Sequence, residues 1–485
     1  MTRRALGPFC LSLAIAVAVR LALPFDGLYG QDAFAYFRFA RAVWPHLLGG
    51  APLPALYWPR GYPVAVALLL PLVRGPLAGQ LVSAVAMAWA AAATAGLVTE
   101  LPRARDDRPG ATASLVAGIC VAASGIALRT GQLVMADGLA IGLAATALWA
   151  TARFVRTGSG PSLVAAAVAI AWGATARWQI GLLALPVLAA LATSDRRATS
   201  AGWWGAAVAA VALILGPQLL AAHAVPRALG QHEWLQRWSP SNAVRRDFHT
   251  TEGHARYHFP VALFYLLRLG WPDALFPSIG LLAGIGAWRV VRERRGAEIA
   301  LLLGWPLVNG AFISGIPYEN PRFVWPALPC VAALAGLGFV AIARGMRRRG
   351  RILLGAGLAA SLAAGLVFAA REHARTVARK NADRAVVAWV DSLVPRGATV
   401  WRAGGTLMAE EYGASKMRDV YLARPADIPA LLATDGTCYY LENLDDIQGQ
   451  WRGLPPSAFF EALRRDPGLL PIAAHPPFVL YRIAR

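Results

Sequence analysis

Long apolar runs recur along this chain from residue 5 to residue 370, and many reach the roughly 20 residues that a helix needs to cross a hydrocarbon core. In lipid such a run has one open-ended solution, the α-helix, because each backbone amide must be satisfied within its own segment. The composition agrees. Of 485 residues 57% are hydrophobic and only 15% are charged, against about 25% charged in soluble domains. The expected fold class is an α-helical polytopic membrane protein with about eleven transmembrane helices and outer juxtamembrane helices, followed by a C-terminal soluble α/β domain. Spans are expected near 5–24, 77–99, 111–130, 133–152, 161–176, 179–193, 201–222, 273–291, 297–315, 323–343 and 352–370.

The net charge of +20, from 47 basic and 27 acidic residues, would by itself suit nucleic acid. The positions of the charges argue against that. Arg3/Arg4, Arg103/Arg105/Arg108, Arg153/Arg156, Arg196/Arg197, Arg289/Arg292/Arg294/Arg295 and Arg344/Arg347/Arg348/Arg349/Arg351 mark alternate loops, which is the positive-inside pattern. With eleven spans all six clusters fall on one side. That places the N-terminus in the cytoplasm and the C-terminal domain outside, in an integral protein of the cell (inner) membrane. The run "GYPVAVALLLPLV" (61–73) is short and closed by Pro71, and reads as a re-entrant or interfacial helix. The N-terminus has features of a signal peptide, but the apolar run continues past Ala16-Val17-Ala18 to Pro24, so a retained first span is expected. The four cysteines form no CxxC, and three lie in apolar runs, which speaks against a metal centre or a disulfide framework.

Two long loops, 25–76 and 223–272, are then outside. Residues 371–485 differ in composition from the membrane domain, 1–370. "ATVWRA" and "TCYYLEN" read as strands, and "ADRAVVAWVDSLV", "TLMAEEYG" and "PSAFFEALRRD" as helices, an alternation that suggests a small α/β domain.

Ionisable residues within spans are costly and are usually functional or paired. Here they are few: Arg20, Arg129, Asp137 and Arg177, each toward the outer end of its span. Asp32, Arg60, Asp273 and Arg322 lie in outer loops or at outer span ends. The pattern points to a site opening to the outer leaflet rather than a path across the bilayer. In "GLYGQDAFAYFRFAR" (27–41), helical spacing puts Asp32, Tyr36, Phe39 and Val43 on one face, with Arg41 opposite. Asp32 thus accompanies the apolar face, as a site residue, an N-cap, or both. Asp137, in "GQLVMADGLAIGLAA", reads as a site residue, a cap, or the partner of Arg129 or Arg177.

Five segments in order resemble the membrane-embedded glycosyltransferases of the C-type fold, which use lipid-phosphate sugar donors. The bacterial relatives of protein O-mannosyltransferases and aminoarabinose transferases are the most similar. "YGQDAFAYFRFAR" resembles the first outer loop with its acid, and "YWPRGYPVAVALLLPL" the juxtamembrane segment after it. "MADGLAIGLAATAL" is similar to the acid-led fourth span, "GATARWQIGLLALP" to an Arg-bearing segment ending in Leu-Pro, and "PYENPRFVWPALPCVAALAGLGF" to the late outer loop. The family often has two adjacent acids in the first loop; here the pair is Gln31-Asp32, which puts a dyad-type metal site in doubt.

The resemblance implies transfer of a sugar from a polyprenyl-phosphate donor to a lipid, glycan or protein acceptor at the outer face, with no nucleic-acid partner. The acceptor hydroxyl needs a base, a role assigned to Asp32, with Asp137 as the second catalytic acid. The departing phosphate needs cations, a role for Arg322 first and then Arg177 and Arg60, since a guanidinium stays charged and can bind two oxygens. Tyr36, Glu319, Tyr257 and His258 are further substrate-binding candidates. No resident cofactor is implied; a divalent cation is the one group left open. In the loop 223–272, with five histidines, His254 and His258 have the i,i+4 spacing of a helical metal pair, but there is no HExxH and Arg256 stands between them, so no metal site is assigned. "GLLAGIGAW" (280–288) follows no strand and reads as helix packing. Two other classes compete: a secondary transporter, which should carry mid-bilayer polar residues and broken helices in two related halves, and a non-enzymatic assembly or scaffold protein acting through 371–485.

Overall fold

In a computed structural model the chain is described over residues 3–101, 108–193, 200–224, 236–250, 253–435, 438–449 and 451–484. Arg103, Arg105, Arg196, Arg197, His232 and Trp234 lie outside these residues. The chain divides into two compact units. The first comprises Met1–Leu28, Tyr36–Val244 and Pro260–Ala374; the second Tyr29–Ala35, Arg245–Phe259 and Arg375–Arg485.

The first unit is helical. Its helices are α1 (Arg3–Ala22), α2 (Gly30–Gly49, whose first residues belong to the second unit), α3 (Gly61–Leu69), α4 (Leu77–Glu100), α5 (Arg108–Ala122), α6 (Gly125–Gln132), α7 (Ala136–Thr157) and α8 (Gly160–Ala176). A 3-10 turn (Trp178–Leu183) leads into α9 (Ala184–Ala192), followed by α10 (Ala201–Ala224), α11 (Val261–Arg268), α12 (Pro277–Arg292), α13 (Gly296–Ser314, with a π-helical stretch at Ala300–Gly304) and α14 (Leu328–Arg344). Helix α15 (Arg348–Leu393) starts in this unit and ends in the second.

Among the described residues seven helices are long and apolar enough to cross a membrane: α1, α4, α7, α10, α13, Pro321–Arg344 and α15. The bent pair α5–α6 makes an eighth if counted as one span. Each of the eleven segments expected from hydropathy falls on a helix, but three of those helices are short. Helix α8 has 17 residues and α12 has 16, and the 179–193 run is divided between a 3-10 turn and α9. The α5–α6 bend of 47° has a local cause. The Ser124 hydroxyl caps a new helix by accepting from the Ala127 amide at 3.0 Å. Helix α3, with nine residues, is about 14 Å long and too short to span, in keeping with a re-entrant or interfacial element.

Lipid gives apolar helices no hydrophobic reason to associate, so close backbone approach and hydrogen bonds must supply it. Small residues make that approach at several crossings, of which two illustrate it. On α7, a Cβ added to Gly138 would stand 2.9 Å from the Ser83 carbonyl oxygen of α4, and one on Gly142 2.8 Å from that of Ala86. Between α12 and α14 the arrangement is reciprocal. A Cβ on Gly286 would stand 2.0 Å from the Leu334 carbonyl oxygen, and one on Gly338 2.0 Å from that of Leu282. Gly286, within "GLLAGIGAW", is therefore a packing glycine.

The second unit holds a five-stranded sheet in the order β4-β3-β5-β7-β6, with β3 (Thr399–Arg402), β4 (Lys416–Asp419), β5 (Cys438–Asn443), β6 (Leu469–His475) and β7 (Phe478–Ile483). Strands β4, β3 and β5 are parallel, and β7 and β6 are antiparallel to their neighbours. Alternation along the strands makes two cores. Val400, Tyr439 and Leu441 face one side, with Val386, Val387 and Val390 of α15 and Ala409 of α16 (Thr406–Tyr412). Trp401, Cys438 and Tyr440 face the other, with Ile428 and Leu431 of α17 (Ile428–Asp435), Ile447 of α18 (Leu444–Gln448) and Phe459, Phe460 and Leu463 of α19 (Pro455–Arg464). A separate hairpin pairs β1 (Asp247–Thr250) with β2 (Gly253–Arg256). The sequence reading placed β3, β5, α16 and α19 but missed β4, β6 and β7.

The reciprocal glycine contact yields a stability test. Gly338→Ala should lower the thermal midpoint in detergent, with a cost of about 1–3 kcal/mol for overpacking. Gly284→Ala, where a Cβ meets nothing within 4 Å, should leave the midpoint unchanged or raise it slightly. A thiol-reactive dye reporting on the buried Cys120 and Cys330 would measure both.

Candidate functional site

Asp137 is the most constrained acid of the first unit. It sits in the first turn of α7, where an acid suits the helix dipole, and is 2% exposed. Its Oδ2 accepts a hydrogen bond from Arg322 Nε at 2.9 Å. Its Oδ1 lies 2.5 Å from Arg177 Nη2, an ion pair whose angles do not make a hydrogen bond. One buried carboxylate thus holds two guanidiniums side by side. Two partly buried cations would repel without it, and one buried carboxylate would be costly without them.

Each arm is positioned by local structure. Helix α7 begins where it does because Met135 is extended (φ −142°, ψ 146°). The Met135 carbonyl accepts from Ser83 Oγ at 3.2 Å, and Ser83 Oγ is 3.0 Å from the Tyr62 hydroxyl, which also donates to the Gly79 carbonyl at 3.0 Å. Arg177 ends α8 in an extended conformation, and its guanidinium carbon lies 5.9 Å from the centre of the Phe323 ring. Arg322 stands in the 3-10 turn Pro321–Phe323, capped by Asn320 Oδ1, which accepts from the Arg322 amide at 3.0 Å. The Phe323 carbonyl accepts from Gln179 Nε2 at 3.0 Å and from Asn309 Nδ2 at 3.2 Å, so side chains from two other segments fix the turn that carries Arg322.

The remaining first-unit candidates surround this group at different removes. Tyr36 is buried and meets Tyr62 edge-on at 5.4 Å, which makes it a wall of the Tyr62–Ser83 network. Arg60 stacks over Phe39 at 5.5 Å, and its amide donates to Gln218 Oε1 at 3.1 Å. The next residue, Gly61, lies against the Thr175 backbone, two residues before Arg177. Glu319 lies on the same loop as Arg322. Tyr265 brackets it, its hydroxyl donating to the Tyr318 carbonyl at 2.9 Å and accepting from the Asn320 amide at 3.2 Å. Glu319 Oε1 is buried without a hydrogen-bond partner, and burial pushes the carboxyl up to about 7.

Arg129 does not pair with Asp137. It donates to Asp273 Oδ2 at 2.7 Å, and the buried Arg268 grips the same carboxylate with both Nη atoms, each at 2.7 Å. Arg20 donates to the Phe25 carbonyl at 2.6 Å and to Gln80.

Three candidates lie in the second unit. Asp32 is half-buried in the first turn of α2. Tyr257 follows β2, its amide donating to the Arg246 carbonyl at 2.7 Å, and His258 is exposed one residue on. The helical spacing of His254 and His258 does not apply, because His254 lies on a strand. Across the hairpin it faces His249, with ring centres 4.3 Å apart, and its Nε2 is 2.7 Å from Asp247 Oδ1. Asp247, His249 and His254 bring three ligand atoms within 4.8 Å of one another on an exposed surface. The hydrogen bond from His254 holds the Asp247 carboxyl below its usual range.

Sequence reasoning passed over Tyr62, Ser83, Gln179, Asn309, Tyr265 and Arg268. A search restricted to charges within spans could not find the first five. Uncharged polar residues in apolar runs were the signal available for Gln179 and Asn309.

The fold has known counterparts. Residues 77–220 match the family described as dolichyl-phosphate-mannose-protein mannosyltransferase. The crystal structure of ArnT from Cupriavidus metallidurans bound to undecaprenyl phosphate is 15% identical, with a TM-score of 0.64 over 98% of this chain and 98% of that one. The apo oligosaccharyltransferase of Archaeoglobus fulgidus is 11% identical, with a TM-score of 0.56 over 91% of this chain and 70% of that one. The Archaeoglobus fulgidus oligosaccharyltransferase AglB in complex with an inhibitory peptide and a dolichol-phosphate is also 11% identical, with a TM-score of 0.56 over 99% and 74%. A search of curated protein sequences gave no match. The chain has the C-type fold of membrane glycosyltransferases, as the sequence resemblance implied.

Two measurements test this geometry. Asp137→Ala leaves two guanidiniums facing each other, whereas Arg322→Ala leaves Asp137 one cation. Both should destabilise, Asp137→Ala more, on the scale of about 3–5 kcal/mol for a broken buried pair. Thermal midpoints of the two variants give the order. Glu319 binds its proton more tightly folded than unfolded, so its contribution to stability is present below about pH 4.5 and is lost as pH rises through about 7. The midpoint of Glu319→Gln should therefore gain on wild type between those values and run parallel to it above them.

Proposed function

We infer that the protein is a glycosyltransferase that moves a sugar from a polyprenyl-phosphate donor to a lipid, glycan or protein acceptor at the outer face of the membrane. The observation that carries this reading is the pair Arg177 and Arg322 anchored on one buried carboxylate. Asp137 engages one nitrogen of each guanidinium and cancels one of two positive charges. Two guanidiniums brought together by one carboxylate make a cationic group, which suits a phosphate.

The chemistry needs that charge late. In the donor the phosphate is a diester with one negative charge. As the bond from the sugar carbon to the phosphate oxygen breaks, the departing polyprenyl phosphate gains a second. Fixed cations that meet developing charge accelerate such a step more than they tighten ground-state binding. The acceptor hydroxyl must lose its proton as its oxygen attacks, and Asp32 is assigned as the base. Asp137 acts as the group that positions both arginines. Arg60, Tyr36, Glu319, Tyr257 and His258 are assigned to substrate binding.

The polar centre of the membrane unit is built at helix termini, as the N-terminal end of α7, the C-terminal end of α8 and the loop before α14 illustrate. That supports a site at one membrane face better than a path across the bilayer. The orientation read from the arginine clusters, N-terminus in the cytoplasm and C-terminal domain outside, puts this face outward.

The test is polyprenyl-phosphate release from a panel of polyprenyl-phosphate sugars with extracted acceptors. Wild type should turn over. Asp32→Asn should lose about 10²–10⁴-fold in kcat, as removal of a general base does. Arg322→Ala and Arg177→Ala should lose kcat as well as donor affinity. Transport of a solute into vesicles without any lipid-linked donor, with no release of polyprenyl phosphate, would overturn the reading.

A further inference from the structure

The α/β unit has its own built cavity, of about 170 Å³, at the carboxyl ends of β3 and β5. Its place follows from the topology. The chain leaves β3 through α16 on one face of the sheet to reach β4, then returns through α17 on the other face to reach β5. The two connections diverge at β3 and β5, leaving a crevice beyond the strand ends, the usual ligand position in an open α/β sheet.

The sequence fills this crevice with specific chemistry. Arg402, the last residue of β3, points a guanidinium inward whose Nη1 is buried without a hydrogen-bond partner. Glu442, at the end of β5, is 1% exposed; one oxygen accepts from the Tyr440 hydroxyl and the other from the Asn443 amide at 2.9 Å. Asp446 accepts from Asn443 Nδ2 at 2.8 Å. Trp451 supplies an aromatic wall, held edge-on by Tyr421 at 5.8 Å. Gly404 and Gly405 are both left-handed (φ 72° and 67°). A Cβ on Gly405 would stand 3.1 Å from the Arg402 guanidinium carbon, so the glycines give the turn its shape and keep its inner side clear.

The lining selects by elimination. The guanidinium repels a metal ion. The carboxyls of Glu442 and Asp446 offset the guanidinium, so the lining has no surplus positive charge to hold an anion. An apolar ligand would leave Arg402 Nη1 unsatisfied, at a cost that buried polar groups do not usually bear. What remains is a neutral group that accepts and donates hydrogen bonds from the same atoms and has an apolar face to lay on an indole. Sugar hydroxyls and ring C–H groups have that character.

We propose that this crevice binds one hexose-sized carbohydrate ring, with hydroxyls accepting from Arg402 and donating to Glu442 and Asp446, and one face on Trp451. Gln31, beside Asp32, completes the lining, and the proposal rests on none of the phosphate contacts assigned to Arg177 and Arg322. A single ring with one stacking wall should bind weakly, at about 1 mM.

The experiment uses the full chain in nanodiscs and saturation-transfer NMR with methyl glucoside, mannoside, galactoside and N-acetylglucosaminide as probes. At least one probe should give a signal strongest at its ring C–H protons. Trp451→Ala, at the cavity rim, should reduce that signal at least five-fold, as should Arg402→Gln if it remains folded. Arg322→Ala should leave it intact, and millimolar inorganic phosphate should not displace the probe. Silence from all four probes, a signal indifferent to Trp451→Ala, a signal lost in Arg322→Ala, or displacement by phosphate would each overturn the proposal. Failure of polyprenyl-phosphate turnover would leave it untouched.

Discussion

A carboxylate held between two guanidiniums is the constraint on which the membrane unit turns. Asp137 is buried, and its ion pairs reach 40 residues forward to Arg177 and 185 residues forward to Arg322. Neither arginine could be held inside an apolar bundle alone, because the desolvation of an unpaired guanidinium far exceeds what packing returns. Burial of Asp137 therefore fixes three segments at once: the start of α7, the end of α8 and the turn before α14. The neutral hydrogen bonds around it follow from the same demand. Ser83, Gln179 and Asn309 satisfy the Met135 and Phe323 carbonyls beside these helix ends, and Tyr62 holds Ser83 in place.

The unit repeats this solution with different residues. Asp273 is held by Arg129 and Arg268, again one acid with two arginines. Here Arg268 gives both Nη atoms to the acid, and Arg129, which gives one, packs over Trp325. The contrast is informative. At Asp273 one guanidinium, that of Arg268, grips both carboxylate oxygens; at Asp137 the two oxygens are divided between arginines from two different segments. Equal charge stoichiometry gives a bidentate clamp in one case and a bridge between segments in the other.

Much of the membrane fold was legible because hydropathy is a strong signal: every expected span lies on a helix. Span count was less legible, because a bend at Ser124 and a 3-10 turn at Trp178–Leu183 do not interrupt an apolar run. Asp137, Arg177 and Arg322 were each visible as charges at span ends, but their partnership was not, since contacts 40 and 185 residues apart carry no periodicity. The α/β domain was read from β3 and β5, whose buried residues alternate between the two faces of the sheet. Strand β6 ("LLPIAAH") carries Pro471 and is largely exposed, and so lacks that alternation. His254 and His258 misled for a related reason. Spacing of four suggests one helix face only if the segment is helical, and His254 lies on β2, paired with β1.

Glu319 and Glu442 show why a raised carboxyl is not by itself a role. Both are pushed up to about 7 by burial. Glu442 is satisfied on both oxygens, by Tyr440 and by the Asn443 amide, so its environment stabilises a fixed arrangement on which a cavity can be built. Glu319 has one buried oxygen with no partner, on a loop whose backbone is pinned on both sides by the Tyr265 hydroxyl. An unsatisfied acceptor on a rigid loop three residues from Arg322 is a better argument for contact with a hydroxyl-bearing ligand than the titration that accompanies it.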